Sequence, residues 1–289
     1  MLWRLHSALL KERLEETREL LLGLGDQVQV VSGRVAELPP PPETNGPALA
    51  MTTVQDARTL RWPGANPGLF WNRTAYDVSE WLPRVRESGV ETLLRDAILL
   101  PWGCVRKPSE KLLSHLAGPE GRIFLKPNGG GKEFTGIDVS AEPGKFAEEI
   151  AAIERDAKGI ADGTVVVLAA AVKFPELEWR TWIRRDGVVA WSAYSWNEDA
   201  LGRPETAKLP ETVRKAAETL GRSGKGPDAI FVADFIEREN DAALIEINAA
   251  STSGIYSADI SELIKALRDA VAEENADPDD GSSTEWRTS

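Results

Sequence analysis

Three oxygen-bearing side chains in the C-terminal third of the chain stand at a spacing that could hold a cation. Across residues 230–248, strand alternation puts Glu246 and Asn248 on one face of a strand, with Asp234 on the strand before it. Arg238-Glu239-Asn240-Asp241 forms the turn between them, and a three-residue loop centred on Asn240 would set Asp234 directly opposite Glu246. Two carboxylates and an amide suit Mg²⁺, which prefers oxygen ligands and keeps positions for water and substrate phosphates. The same residues would also suit a solvated sheet face. The flanks FVADFIE and ALIEINAA are apolar, however, and a buried carboxylate needs a cation or a basic group beside it.

Two further groups could handle phosphate. Lys126-Pro127-Asn128-Gly129-Gly130-Gly131-Lys132 is a glycine-rich loop with a lysine at each end, following a strand. Glycines let backbone N–H groups approach an anion and lysines neutralise it, although a surface loop has the same composition. It is not a Walker loop, because Lys132 is followed by Glu133 rather than Ser or Thr. In Glu178-Trp179-Arg180, Glu178 and Arg180 share a strand face. Arg180 could grip a phosphate or acyl-phosphate oxygen with its fork, or could simply pair with Glu178.

The elements that must position these groups can be read from the same text. Residues 2–24 place Leu2, Leu5, Leu9, Leu20, Leu21 and Leu24 at near-helical spacing, which predicts one amphipathic helix ending near Gly23 or Gly25 and serving to dock or oligomerise. The stretch LPPPPETNGP reads as a linker, so that 1–50 is expected to be an appendage, with the ordered unit beginning near Met51. Residues 51–121 read as a small α/β region of short elements. A strand at IFLK, a strand around TGIDVS, a helix from Pro143 and the strand TVVVLAAAV follow. Then come a hairpin over 178–196 turning at Arg185-Asp186-Gly187, a helix over 210–220, the 230–248 hairpin and a helix over 257–274. Residues 275–289 are polar and acidic and are expected to be disordered.

Composition removes several classes of function. With His6 and His115 the only histidines and Cys104 the only cysteine, neither a histidine-based triad nor a thiolate or multi-histidine metal centre is available. A formal charge of -12 opposes long-range attraction to nucleic acid or anionic lipid. No apolar run reaches the roughly 18 residues of a membrane span, and charges from Lys11 onward interrupt any secretory signal. A cytoplasmic location is the expectation.

Taken in order, KPNGGGKEFTG, VVVLAAAV, EWRTWI, SAYSW, FVADFIE and LIEINAASTSGIY resemble the ATP-grasp superfamily over about residues 100–268. More narrowly, they resemble the bacterial and phage clade named for two arginines and a lysine. The resemblance implies an α+β fold in which two subdomains grip ATP, with the ATP-grasp domain at 122–274. It assigns Lys126 to phosphate, Lys132 to the loop contact, and Val167, Leu168, Ala169 and Ala170 to the adenine hinge. Asp234, Glu246 and Asn248 become the Mg²⁺ ligands. Arg180 would stabilise the transferred phosphoryl group or anchor the acyl phosphate, and Glu178 would orient Arg180 or reach the nucleotide. Members often carry Arg-Pro where this chain has Lys126-Pro127, so the two-pronged contact of that arginine is replaced by a point charge. The implied activity is ATP-dependent ligation of a small-molecule or peptide carboxylate to an amine through an acyl phosphate. A non-catalytic nucleotide-binding scaffold and a kinase remain alternatives.

Overall fold

The computed structural model describes residues 1–33, 47–59, 74–129, 133–157, 159–173, 177–194 and 208–276. The proline-rich linker, Lys132 and the acidic tail from 277 onward lie outside them. The described strands form three sheets. β1 (Leu2–His6), β2 (Gln27–Val31) and β3 (Ala48–Met51) make a parallel sheet in the order β2-β1-β3. β4 (Ile98–Pro101), β5 (Arg122–Pro127), β6 (Ile137–Ser140) and β7 (Val165–Ala170) make an antiparallel sheet in the order β4-β7-β5-β6. β8 (Glu178–Arg184), β9 (Gly187–Tyr194), β10 (Ile230–Glu237) and β11 (Ala242–Ala249) make the other, in the order β11-β10-β8-β9.

The single helix expected over 2–24 is broken up: it ends at Gly23 as expected, but its start is a strand. Its first five residues are the central strand of the parallel sheet, all buried. A short helix α1 (Ser7–Leu10) follows, broken where Lys11 takes a left-handed backbone with φ 48°. A 3₁₀ turn then leads into α2 (Leu14–Gly23). Leucines spaced for a helix fit this arrangement too, because a strand covered on both edges and both faces carries no alternation to reveal it. Nor does this segment behave as an appendage. Trp3, Leu5, Leu10, Leu21, Leu49 and Met51 are buried in one cluster with Leu263, Ile264 and Leu267 of α9 (Ile260–Ala276) and with Trp182, Ile230 and Val232 of the β8–β11 sheet. Asp26 ties the unit to α9, accepting from Trp3 Nε1 at 3.0 Å and facing Arg268 at 3.6 Å.

Between these units, α3 (Val54–Thr59), α4 (Val78–Ser88), α5 (Trp102–Val105) and α6 (Glu110–Leu116) are short, as expected. β4 does not belong to a separate region, however, since it pairs antiparallel with β7 from Ile98↔Leu168 to Pro101↔Val165. The boundary expected at 121 therefore cuts through one sheet. α7 (Pro143–Asp156) starts with proline in its first turn, where the missing N–H costs nothing. Its Phe146, Ile150 and Ile153 cover one face of that sheet with Ile123, Leu125, Val166 and Leu168. α8 (Glu211–Arg222) covers the β8–β11 sheet on the face of Trp179, Phe231, Phe235 and Leu244. Gly221 allows that approach, because a Cβ there would meet Arg184 O at 2.5 Å.

The buried N-terminal unit yields a stability prediction. Trp3→Ala removes a fully buried indole and should destabilise the protein by ~3–5 kcal/mol in urea unfolding, as large core truncations do. An appendage would show no change.

Candidate active site

The site face of the β8–β11 sheet changes character along its strands. Trp182 on β8 and Ile230 and Val232 on β10 point into the core shared with the N-terminal unit. Two residues further along each strand, the same face presents Arg180 and then Asp234. These two stand in register, as do Asp234 and Glu246. The latter pairing is the expected one, but it has a different cause. The turn is a four-residue loop, Arg238–Asp241, closed by the Arg238 N–H donating to Asp241 O at 2.9 Å. Four residues alone would put Asp234 opposite Ile245. A β-bulge shifts the register between Asp234 and Phe235, so that Phe235 faces Leu244 and Asp234 faces Glu246.

Arg180 grips Asp234 with a two-pronged fork, Nε donating to Oδ1 and Nη2 to Oδ2, both at 2.8 Å. Asp234 is fully buried. The Asn248 amide nitrogen lies between the two carboxylates, donating to Asp234 Oδ2 at 3.1 Å and Glu246 Oε1 at 2.8 Å. From the other four-stranded sheet, Lys126 Nζ reaches Glu246 Oε2 at 3.1 Å. Burial by itself would raise the Glu246 carboxyl, but the Lys126 ammonium, the Asn248 hydrogen bond and Arg180 outweigh it and hold the pKa down at about 2. Five of the residues singled out in the sequence thus form one continuous polar cluster between two sheets. Arg180 pairs with Asp234, the partner the sequence left open. Glu178 is buried on the same strand face as Arg180, in register with Tyr194 on β9.

Among the described residues no group of three or more His, Cys, Asp or Glu is gathered in one place. A cation here would therefore rest on Asp234, Glu246 and Asn248. That all-oxygen set fits a hard divalent ion.

The hinge residues divide. Val167 and Leu168 are hydrogen-bonded within the sheet on both sides, to β4 and to β5. β4 stops at the level of Leu168, so Ala169 and Ala170 pair only with Phe124 and Ile123 of β5. Their other edge is where backbone groups could meet a ligand. Beside it lies an apolar cleft lined by Leu93, Leu94, Phe124, Ala170, Val172 and Ile245. Only Ala170 of these was singled out in the sequence. Phe124 alternates with Lys126, so period-two reading could have found it, whereas Ile245 reaches the cleft only through the bulge. Leu93 and Leu94 have no such signal, since they arrive through a bridge from Thr92 to Leu244 at the edge of β11. Gly136 makes room for the cleft wall, because a Cβ there would stand 2.9 Å from the Phe124 ring.

A family model for the ATP-grasp domain, family 3 of the clade named for two arginines and a lysine, matches residues 106–267. The chain belongs to this family. No curated protein matches the chain. Among solved structures, a RimK domain protein ATP-grasp from Sphaerobacter thermophilus DSM 20745 superposes with a TM-score of 0.60 at 14% identity, covering 94% of this chain and 100% of that one. D-cycloserine synthetase DcsG superposes at 0.62 and 14% identity, with 94% and 100% coverage. A D-alanine–D-alanine ligase from Bacillus anthracis complexed with ATP superposes at 0.59 and 16% identity, with 96% and 99% coverage. At these identities the likeness is one of fold, and it establishes the α+β ATP-grasp fold read from the sequence. In this ATP-grasp chain the polar cluster and the apolar cleft lie side by side between the two four-stranded sheets. No helix among the described residues is long and apolar enough to cross a membrane.

The cluster generates two predictions. Glu246 titrates at about 2 in the folded protein and at about 4.3 when unfolded, so its stabilisation is present above about pH 4.3 and is lost as pH falls towards 2. Because 34% of its side chain is exposed, that contribution is about 1 kcal/mol rather than the full conversion of the shift. Urea unfolding at pH 6 and pH 3 should show a pH-dependent loss that is smaller by about half that amount in Glu246→Gln, because pH 3 lies midway between the two values. Asp234→Asn leaves the buried Arg180 guanidinium without its counter-charge and should cost ~3–5 kcal/mol, whereas the double variant Asp234→Leu/Arg180→Met should recover much of it. Equal stability of Asp234→Asn and the wild type would show that the ion pair is not buried as described.

Proposed function

We propose that this chain is an ATP-dependent ligase that joins a carboxylate to an amine through an acyl phosphate, using Mg-ATP. The observation that carries the reading is the meeting of Lys126 from one sheet with Glu246, Asn248, Asp234 and Arg180 from the other, beside an apolar cleft at the end of the β7 hinge. Phe124, Leu93, Leu94, Val172 and Ile245 provide apolar walls for adenine, and the free edge of Ala169 and Ala170 offers backbone groups to its polar rim. Lys126, with Lys132 from the glycine loop, neutralises phosphate. Arg180 faces the transferred phosphoryl group, where its fork suits two oxygens. Asp234, Glu246 and Asn248 would hold a magnesium ion, which would supply charge neutralisation for the phosphates. Glu178 steadies Arg180 from two residues along the strand.

In the reaction, a substrate carboxylate oxygen attacks the terminal phosphorus and the bond to ADP breaks. An amine nitrogen then attacks the acyl carbon, phosphate leaves with the electron pair of the C–O bond, and the nitrogen loses a proton. No nucleophilic side chain is required. The contribution of the chain is alignment, exclusion of water and fixed charge. The solved neighbours support the class of chemistry, since their names include a D-alanine–D-alanine ligase complexed with ATP and an ATP-grasp ligase, PsnB, complexed with a minimal precursor. Carboxylate and amine substrates of small-molecule or peptide size are the partners this reading implies. A single cysteine fits a reducing compartment, and we place the enzyme in the cytoplasm.

Isothermal titration with a non-hydrolysable ATP analogue should show binding that strengthens with Mg²⁺ and weakens at least about tenfold in Lys126→Ala. Incubation with ATP, candidate acids and hydroxylamine should then trap a hydroxamate and release ADP and phosphate. Phosphate retained on the product would identify a kinase. Nucleotide binding without turnover of any acid would identify a scaffold.

A further inference from the structure

We propose that Tyr256 is a positioning residue for Arg180, and that Arg13 of the N-terminal unit locks Tyr256 in place. The inference rests on the reading of Arg180 as the residue that faces the transferred phosphoryl group. The Arg180 guanidinium carbon lies 5.1 Å from the centre of the Tyr256 ring, within the range of a cation–π contact. The ring also lies against Gly254, whose carbonyl accepts from Arg180 Nη1 at 3.4 Å. Arg180 is thus held on one side by the Asp234 carboxylate and on the other by an aromatic face.

Tyr256 takes a left-handed backbone at φ 49°, a conformation uncommon for an aromatic residue and one that persists only when its surroundings impose it. Two contacts impose it. Arg13, on the turn between α1 and α2, donates from Nη1 to Tyr256 O and from Nη2 to Ala258 O. On the other side, the Ser257 N–H donates to Ser192 Oγ on β9 at 3.3 Å. The N-terminal unit, with Arg13 standing 243 residues before Tyr256, thereby fixes the loop that aims the ring at Arg180. The ring is half-buried, so it is covered without being lost in the core.

The test is isothermal titration of the full chain with Mg²⁺ and ADP, with and without aluminium fluoride, which completes ADP with a mimic of the transferred phosphoryl group. Wild type should gain affinity on adding fluoride, and Arg180→Lys should lose that gain. Tyr256→Asn keeps a residue that tolerates the left-handed backbone and removes the ring. It should weaken the fluoride complex by roughly 3- to 30-fold while ADP alone binds as in wild type. Tyr256→Phe keeps the aromatic face and should restore wild-type affinity to within about threefold. Arg13→Gln, remote from the ligand, should weaken the fluoride complex in the same direction by a smaller factor. Wild-type affinity in Tyr256→Asn with loss in Arg180→Lys overturns the proposal and leaves the reading of Arg180 standing. Loss in Tyr256→Phe equal to that in Tyr256→Asn also overturns it, by assigning the effect to the hydroxyl. No fluoride-dependent gain in wild type, and no effect of Arg180→Lys, overturns the reading of Arg180 and the proposal with it.

Discussion

The Arg180–Asp234 fork is the interaction on which the arrangement of the site depends. A carboxylate with no exposure, set in a strand whose neighbours are Ala233 and Phe235, has no stable existence without a positive partner. Here the partner comes from the adjacent strand in register, where Arg180 reaches both carboxylate oxygens with two N–H···O bonds. That fork ties β8 to β10. The Asn248 amide then requires β11 to place Glu246 opposite Asp234, and the bulge at Ile245 is what reconciles a four-residue turn with that pairing. The bulge also turns Ile245 into the apolar cleft, so one irregularity sets both the polar and the apolar halves of the site.

The fork would be out of place if the whole sheet face were apolar. Trp182, Ile230 and Val232 occupy the same face closer to the N-terminal unit and are covered by Trp3, Leu5 and α9. The change from apolar to charged therefore coincides with the edge of the region that the N-terminal unit covers. A Thr52 N–H donating to Ser251 O at 2.8 Å marks that edge, where β3 abuts the chain just beyond β11. The N-terminal sheet thus has a packing role and borders the site, which explains why its central strand is buried on every side.

Legibility in the sequence follows the range over which each feature is encoded. The β10–β11 hairpin can be read because alternation and a turn signal lie within about twenty residues. The opposition of Asp234 and Glu246 is legible in the same way, even though the turn and bulge that produce it are not. The two-pronged pairing of Arg180 with Asp234 depends on the order of strands in a sheet, which no local pattern carries. The same holds for Leu93 and Leu94. They join the cleft through an isolated bridge to Leu244, and their own segment reads only as short and mixed. β1 escapes for a different reason. A five-residue strand buried on both faces shows no alternation, and Leu2 and Leu5 fall by chance on the helical template that Leu9, Leu20 and Leu21 of the following helices obey.

The electrostatic state of the cluster constrains how a ligand can enter it. Asp234 is paired with Arg180 and Glu246 with Lys126. A nucleotide phosphate alone would compete with the carboxylates for the two basic groups and leave two unmatched carboxylates, that of Asp234 fully buried. A divalent cation alone would compete for the carboxylates and leave two unmatched positive groups. Phosphate and cation arriving together would, on the proposed reading, satisfy both sets, Lys126 and Arg180 serving phosphate and Asp234, Glu246 and Asn248 serving the metal. On the proposed reading, selectivity for the metal–nucleotide complex over either component follows from charge balance in a site of restricted solvent access. The low pKa of Glu246 keeps that balance intact down to acidic pH, so protonation of this group does not set the behaviour of the site near neutrality.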